Sequence, residues 1–157
     1  MATLNQAPVV KTEMLIRKPV KDVFEAFIDP AVTTRFWFTK SSGRLETGKR
    51  VVWEWEMYGA STEVDVIAIE ENKRIAIEWG APDITAVEWT FASRAAGETL
   101  VTITNAGFAG AGDDMVMQAL DSMQGFTMVL CGLKAYLEHG VALNLVADKA
   151  PDAHVDR

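Results

Sequence analysis

Apolar and polar positions alternate through the middle of the chain and then change period. Val51, Trp53, Trp55 and Met57 interleave with Val52, Glu54 and Glu56, the repeat of a strand with one apolar side. Thr62–Glu70 follows with Val64, Val66 and Ala68 set against Glu63, Asp65 and Ile67, and Arg74–Trp79 places Ile75, Ile77 and Trp79 on one face. Val87, Trp89 and Phe91 alternate with Glu88 and Thr90, and Val101 and Ile103 oppose Leu100, Thr102 and Thr104. Turn residues separate these runs at Tyr58–Ser61, Glu71–Lys73, Ala81–Asp83 and Ala95–Gly97, so successive hairpins connect them. From Asp113 to Gly140 the period becomes helical. Met115, Ala119, Met123, Phe126, Leu130, Leu133 and Leu137 form one stripe at roughly 3.6 residues per turn.

The first third adds a strand over Val9–Ile16 and two small helices. Pro19 opens the first, whose stripe is Val20, Val23, Phe24 and Phe27; Pro30 ends it and starts a second that runs to about Trp37. Gly43 and Gly48 bracket a short strand at Arg44–Thr47. The apolar face of the long helix needs a partner, and the strands supply one. The pattern predicts an α+β helix-grip architecture: a curved antiparallel sheet of six or seven strands, two short helices, and a long C-terminal helix over the concave face. A single domain over 1–157 is expected, with a frayed start at Met1–Gln6, a core at about 9–140 and a tail that adds little beyond Asp148. Leu143, Leu145 and Val146 are the tail residues able to pack back.

Charge removes several function classes. With 15 basic and 22 acidic residues and a net charge of -7, the surface repels phosphate backbones and anionic lipid, and no basic patch reverses this, so neither nucleic acid nor membrane is an expected partner. No stretch reaches the roughly 20 apolar residues of a membrane span, and the N-terminus lacks the flank and core of a secretory signal. A cytoplasmic location is expected. Cys131, the one cysteine, falls in the apolar helix and reads as a buried small hydrophobe.

The residues that suggest chemistry are aromatic. Trp53, Trp55, Trp79, Trp89 and Phe91 on strands face Met115, Met123 and Phe126 on the helix. They line an apolar small-molecule pocket on one reading and fill the core on the other. Six carboxylates, Glu54, Glu56, Glu63, Asp65, Glu78 and Glu88, sit between apolar strand positions and are expected on the convex side, away from any such pocket. His139 suits a helix C-terminus, and His154 falls in an exposed, unstructured tail. No spacing supports a zinc site, a P-loop or a Ser-His-Asp arrangement. The glycines of Gly107–Gly112 mark a bend, and with it a pocket entrance beside the small helices and the long helix. No cofactor or metal is implied.

Several strings carry a family resemblance: Pro19–Pro30 (PVKDVFEAFIDP), Arg35–Phe38 (RFWF), Gly48–Trp55, and Gly125–Gly140. Over roughly residues 9–140 the chain resembles the START/birch-pollen-allergen-like (SRPBCC) superfamily, in the branch similar to the activator of the Hsp90 ATPase. The resemblance implies the helix-grip fold, a stress-associated role, and ligand contacts among Trp53, Trp55, Trp79, Trp89, Met123 and Phe126. It does not extend to the additional large domain through which the eukaryotic activator engages Hsp90. Three functions follow as expectations. The first is binding of a small hydrophobic or amphipathic molecule without catalysis. The others are chaperone regulation or another protein interaction, homodimerisation included, and a cyclase- or hydrolase-like activity requiring two ionisable groups in the cavity.

Overall fold

A computed structural model describes residues 3–155; the ends of the expected lead-in and tail, Met1, Ala2, Asp156 and Arg157, lie outside the described residues. Seven antiparallel strands form one sheet in the order β1-β7-β6-β5-β4-β3-β2. They are β1 (Val10–Ile16), β2 (Lys40–Ser41), β3 (Arg50–Trp55), β4 (Ala60–Glu70), β5 (Arg74–Trp79), β6 (Thr85–Ala95) and β7 (Glu98–Ala106). Strands β2 to β7 form a meander of hairpins. The chain crosses from β1 at one edge to β2 at the other through α1 (Val20–Ile28) and α2 (Pro30–Thr33). The long helix, α3 (Gly112–His139), follows β7, and a short helix α4 (Leu145–Lys149) follows it.

Local chemistry explains the joints. Asp29 sits between two helices with an extended backbone, the conformation that a following proline imposes, and its carboxylate accepts from Ala31 N–H at 2.9 Å to cap α2. Thr33 ties the pair together by donating to the Ala26 and Asp29 carbonyls at 2.6 and 3.0 Å. The helix α3 ends at Gly140, whose φ of 66° is left-handed and whose N–H caps the Ala135 and Tyr136 carbonyls. Side chains from the C-terminal half of α3, Phe126, Val129, Leu130 and Leu133, enter the core. Thr127 bonds to Thr12 of β1 at 3.0 Å, and Lys134 Nζ donates to the Leu15 carbonyl at 2.8 Å. Gly132 permits the close crossing of the segment after α2, because a Cβ there would stand 3.2 Å from the Phe36 backbone oxygen.

Several expectations are corrected. The strand pairing with β3 is Lys40–Ser41 rather than Arg44–Thr47, which is a connection that inserts buried Leu45 into the core while Arg44 pairs with Glu25 at 2.6 Å. The second helix closes at Thr33 and continues toward Trp37 only as turns, with Trp37 N–H bonded to the Thr33 carbonyl at 3.0 Å. In β4 a register shift between Val66 and Ala68 changes the phase, so that Ile69 rather than Ala68 packs on the core. Cys131 is exposed, one position out of step with Leu130 and Leu133. The tail is ordered against the body as well. His154 Nε2 lies 2.8 Å from the Ala147 carbonyl, and Val155 N–H donates to the Met57 carbonyl at 3.0 Å.

Candidate functional site

The C-terminal half of α3 packs onto the sheet, and two chambers are bordered by the helix at residues 118–129. The first, open to solvent, has a volume of about 300 Å³; its apolar wall is Trp37, Trp79, Phe108 and Phe126, and its polar edge is Thr85, Asn105, Gln118, Asp121 and Ser122. The second, about 490 Å³, is bounded by Trp37, Trp55, Tyr58, Met128 and Val129, and is roofed by the C-terminal segment through Val146, Lys149, Ala150 and Ala153. Trp37, Asp121 and Gly125 border both.

Trp37 is the hub. It emerges from the turns after α2, is 8% exposed, and its ring centroid lies 5.9 Å from Trp79 and 5.8 Å from Phe126, themselves 5.8 Å apart. These tilted and edge-on geometries are favourable aromatic contacts and form a platform rather than an open cage. Trp55 extends the platform into the second chamber, 6.2 Å from Trp37.

Of the residues singled out in the sequence, Trp79 and Phe126 line the first chamber and Trp55 the second. Trp53, Trp89 and Phe91 are buried core residues that line neither; Trp89 Nε1 is enclosed without a hydrogen-bond partner. Met115 and Met123 border neither chamber, and Met123 is 38% exposed. Trp37 was not singled out individually, because it lies outside the alternating strands. The available signal was the Arg35–Phe38 string, which places three aromatics in succession. Gly125 and the roof formed by α4 left no periodic trace either.

The polar edge is organised by Asn105, which is 3% exposed. Its Nδ2 donates to the Ala86 carbonyl at 2.9 Å and to Thr85 Oγ1 at 3.0 Å, and its Oδ1 accepts the Ser122 hydroxyl at 2.8 Å. Gln118 donates to the Ala109 carbonyl at 3.0 Å, holding the glycine-rich segment against α3 beside Phe108. Among the described residues no histidine borders either chamber, and Asp121 is the one carboxylate that does. Three strand carboxylates, Asp65, Glu63 and Glu88, are paired elsewhere. Arg50 pairs with Asp65 at 2.7 Å and Glu63 at 3.3 Å, and its hydrogen bond to Asp65 holds that carboxyl below its usual range, while Arg74 pairs with Glu88 at 3.1 Å. Among the described residues no group of three or more His, Cys, Asp and Glu side chains could hold a metal ion, and no helix is long and apolar enough to cross a membrane.

A curved seven-stranded antiparallel sheet with short helices and a long C-terminal helix defines the helix-grip class, the START/birch-pollen-allergen-like superfamily. Within it, the chain belongs to the family described as activator of Hsp90 ATPase homolog 1-like protein, whose profile matches residues 17–138. Protein SSP2350 from Staphylococcus saprophyticus is 38% identical over 87% of this chain and 96% of its own, with a TM-score of 0.76. Protein MLL2253 from Mesorhizobium loti, 20% identical over 85% of this chain and 99% of its own, superposes with a TM-score of 0.74. The Aha1 dimer from Colwellia psychrerythraea, 16% identical over 85% and 98% respectively, gives 0.68. The last two likenesses are of fold. No curated protein matches the sequence.

Proposed function

We propose that this protein binds a small apolar or amphipathic molecule in the paired chambers beneath α3, acting in the cytoplasm as a binding protein rather than a catalyst. One observation carries the reading: Trp37 and Gly125 border two chambers of about 300 and 490 Å³, giving an aromatic floor with a few polar groups at its edge. That is the usual composition and scale of a small-molecule site. Acid–base catalysis finds less support, since Asp121 has no second carboxylate or histidine beside it at the chamber wall. Native mass spectrometry of the purified protein, followed by extraction of any bound molecule, tests the reading. A stoichiometric apolar adduct is expected; a clean apo mass together with no response to added aromatic ligands would refute it.

A second role is favoured by the outward side of α3, where Met117 and Leu120 are 66% and 61% exposed. Apolar side chains left in water on one helix suit a protein contact. A second copy of this chain is the partner we propose, in keeping with the dimeric relative from Colwellia psychrerythraea. Light scattering of the wild type and Leu120→Glu tests it; a wild-type mass equal to one chain at high concentration would exclude the dimer.

A further inference from the structure

The polar groups of the first chamber are not interchangeable, because one amide dictates which of them can donate. The Ala86 carbonyl can only accept, so the Asn105 group 2.9 Å away from it must be the NH2. The second N–H of that group points at Thr85 Oγ1, 3.0 Å away, and Oδ1 is left to face Ser122 at 2.8 Å. An oxygen facing a hydroxyl must receive its hydrogen. Ser122 therefore commits its only hydrogen to Asn105 and presents lone pairs to the chamber, while Thr85 accepts from Asn105 and keeps its hydrogen.

Asp121, adjacent to Ser122 in the chain, adds a carboxylate at the same wall. It joins none of the ion pairs and side-chain hydrogen bonds found among the described residues. Among the described residues no lysine, arginine or histidine borders this chamber. The wall thus offers Ser122 and Asp121 as acceptors on α3, Thr85 as a donor on β6, the mixed amide of Gln118, and, among the described residues, no positive charge. A ligand carboxylate brought here would lose water and meet a like charge, whereas an O–H or N–H group would find acceptors already oriented.

Resting on the binding role proposed above, we infer that the first chamber selects a ring-bearing ligand that is neutral or cationic and donates hydrogen bonds, a phenol or an organic amine, and rejects carboxylates. The ring lies on the Trp37, Trp79 and Phe126 platform with its donor toward Ser122 and Asp121.

Isothermal titration of the full chain with four probes of one ring system tests this: 2-naphthol, 2-naphthylmethylamine, naphthalene and 2-naphthoate, at neutral pH. Amide chemical shifts at Ser122 and Gly125 locate the binding. The naphthol and the amine are expected to bind about tenfold or more tightly than the naphthoate, the equivalent of one charge-sensitive hydrogen bond. Asp121→Asn, a change at an exposed position, should erase the advantage of the amine over the naphthol. Equal or tighter binding of 2-naphthoate, with shifts at Gly125, would overturn the proposed selectivity and leave chamber binding standing. Silence from all four probes would overturn both.

Discussion

Gly125 of α3 and Trp37 after α2 border the same two chambers. A Cβ built on Gly125 meets nothing within 4 Å, so the helix carries its glycine at a point where packing does not require one. Glycine costs a helix interior about 1 kcal/mol relative to alanine. Gly125→Ala is therefore expected to stabilise the protein by about 0.5–1 kcal/mol in denaturant unfolding. Gly125→Leu should keep the fold and fill the junction, so that ligand adducts vanish from native mass spectra. A Leu variant that binds as well as wild type would place the site outside the shared space.

Tyr58 secures the roof of the second chamber. Its hydroxyl donates to the Val146 carbonyl in α4, and its ring meets His154 edge-on at 5.4 Å. Tyr58→Phe keeps the ring but orphans that carbonyl, a loss of about 0.5–1.5 kcal/mol for a bond of this kind. Because α4 contributes no fully buried residue, the loss should appear as local opening rather than global unfolding. Hydrogen exchange over residues 143–155 is expected to accelerate several-fold, with the sheet amides unchanged. Unchanged exchange in that segment would mean that the His154 and Val155 contacts hold the roof without Tyr58.

Most of the sheet was legible because strands β3, β5, β6 and β7 obey a period of two, and Ile75, Ile77, Val87, Trp89, Val101 and Ile103 are buried as that period requires. Ala68 fell on the wrong side because a bulge is an insertion in pairing, which only the partner strand reveals. The lining of the two chambers was half legible. Trp55, Trp79 and Phe126 sit on regular elements whose faces can be counted, whereas Trp37 sits in turns, and the roof depends on a left-handed Asn144 and on contacts made far along the chain. On α3 the helical stripe extended too far toward the N-terminus. Met117 and Leu120 lie off that stripe and are exposed, but Met123, counted on it, is 38% exposed, whereas Phe126 is buried.

Cys131 gives a direct check of the phase of α3. The thiol is exposed although both neighbours along the helix, Leu130 and Gly132, are buried. A disulfide reagent should titrate one thiol per chain in native buffer at a rate close to that in denaturant. Cys131→Ser should alter stability by no more than about 0.5 kcal/mol, as for other exposed positions without special contacts. A thiol that reacts only after unfolding would require α3 to be rotated relative to the sheet.

Glu138 predicts where acid first weakens the grip of α3 on the sheet. Its side chain is 10% exposed, and one carboxylate oxygen accepts from Arg17 N–H at 2.9 Å and Lys134 Nζ at 2.7 Å. Burial alone would push the carboxyl up, but these two hydrogen bonds and the Lys134 charge together hold it below its ordinary value of 4.5. A carboxyl with a depressed folded-state pKa binds its proton more readily when unfolded. Its contribution is therefore complete above the ordinary glutamate range and is lost as pH falls through that range and then through the folded value. Wild-type stability should drop between pH 5 and pH 3 more steeply than that of Glu138→Gln, which lacks the titrating group. At pH 7 the variant should be less stable by about 1–3 kcal/mol, since a charge-assisted bond is lost and Lys134 loses its anion. Parallel unfolding curves for the two proteins across that acid range would remove Glu138 from the account.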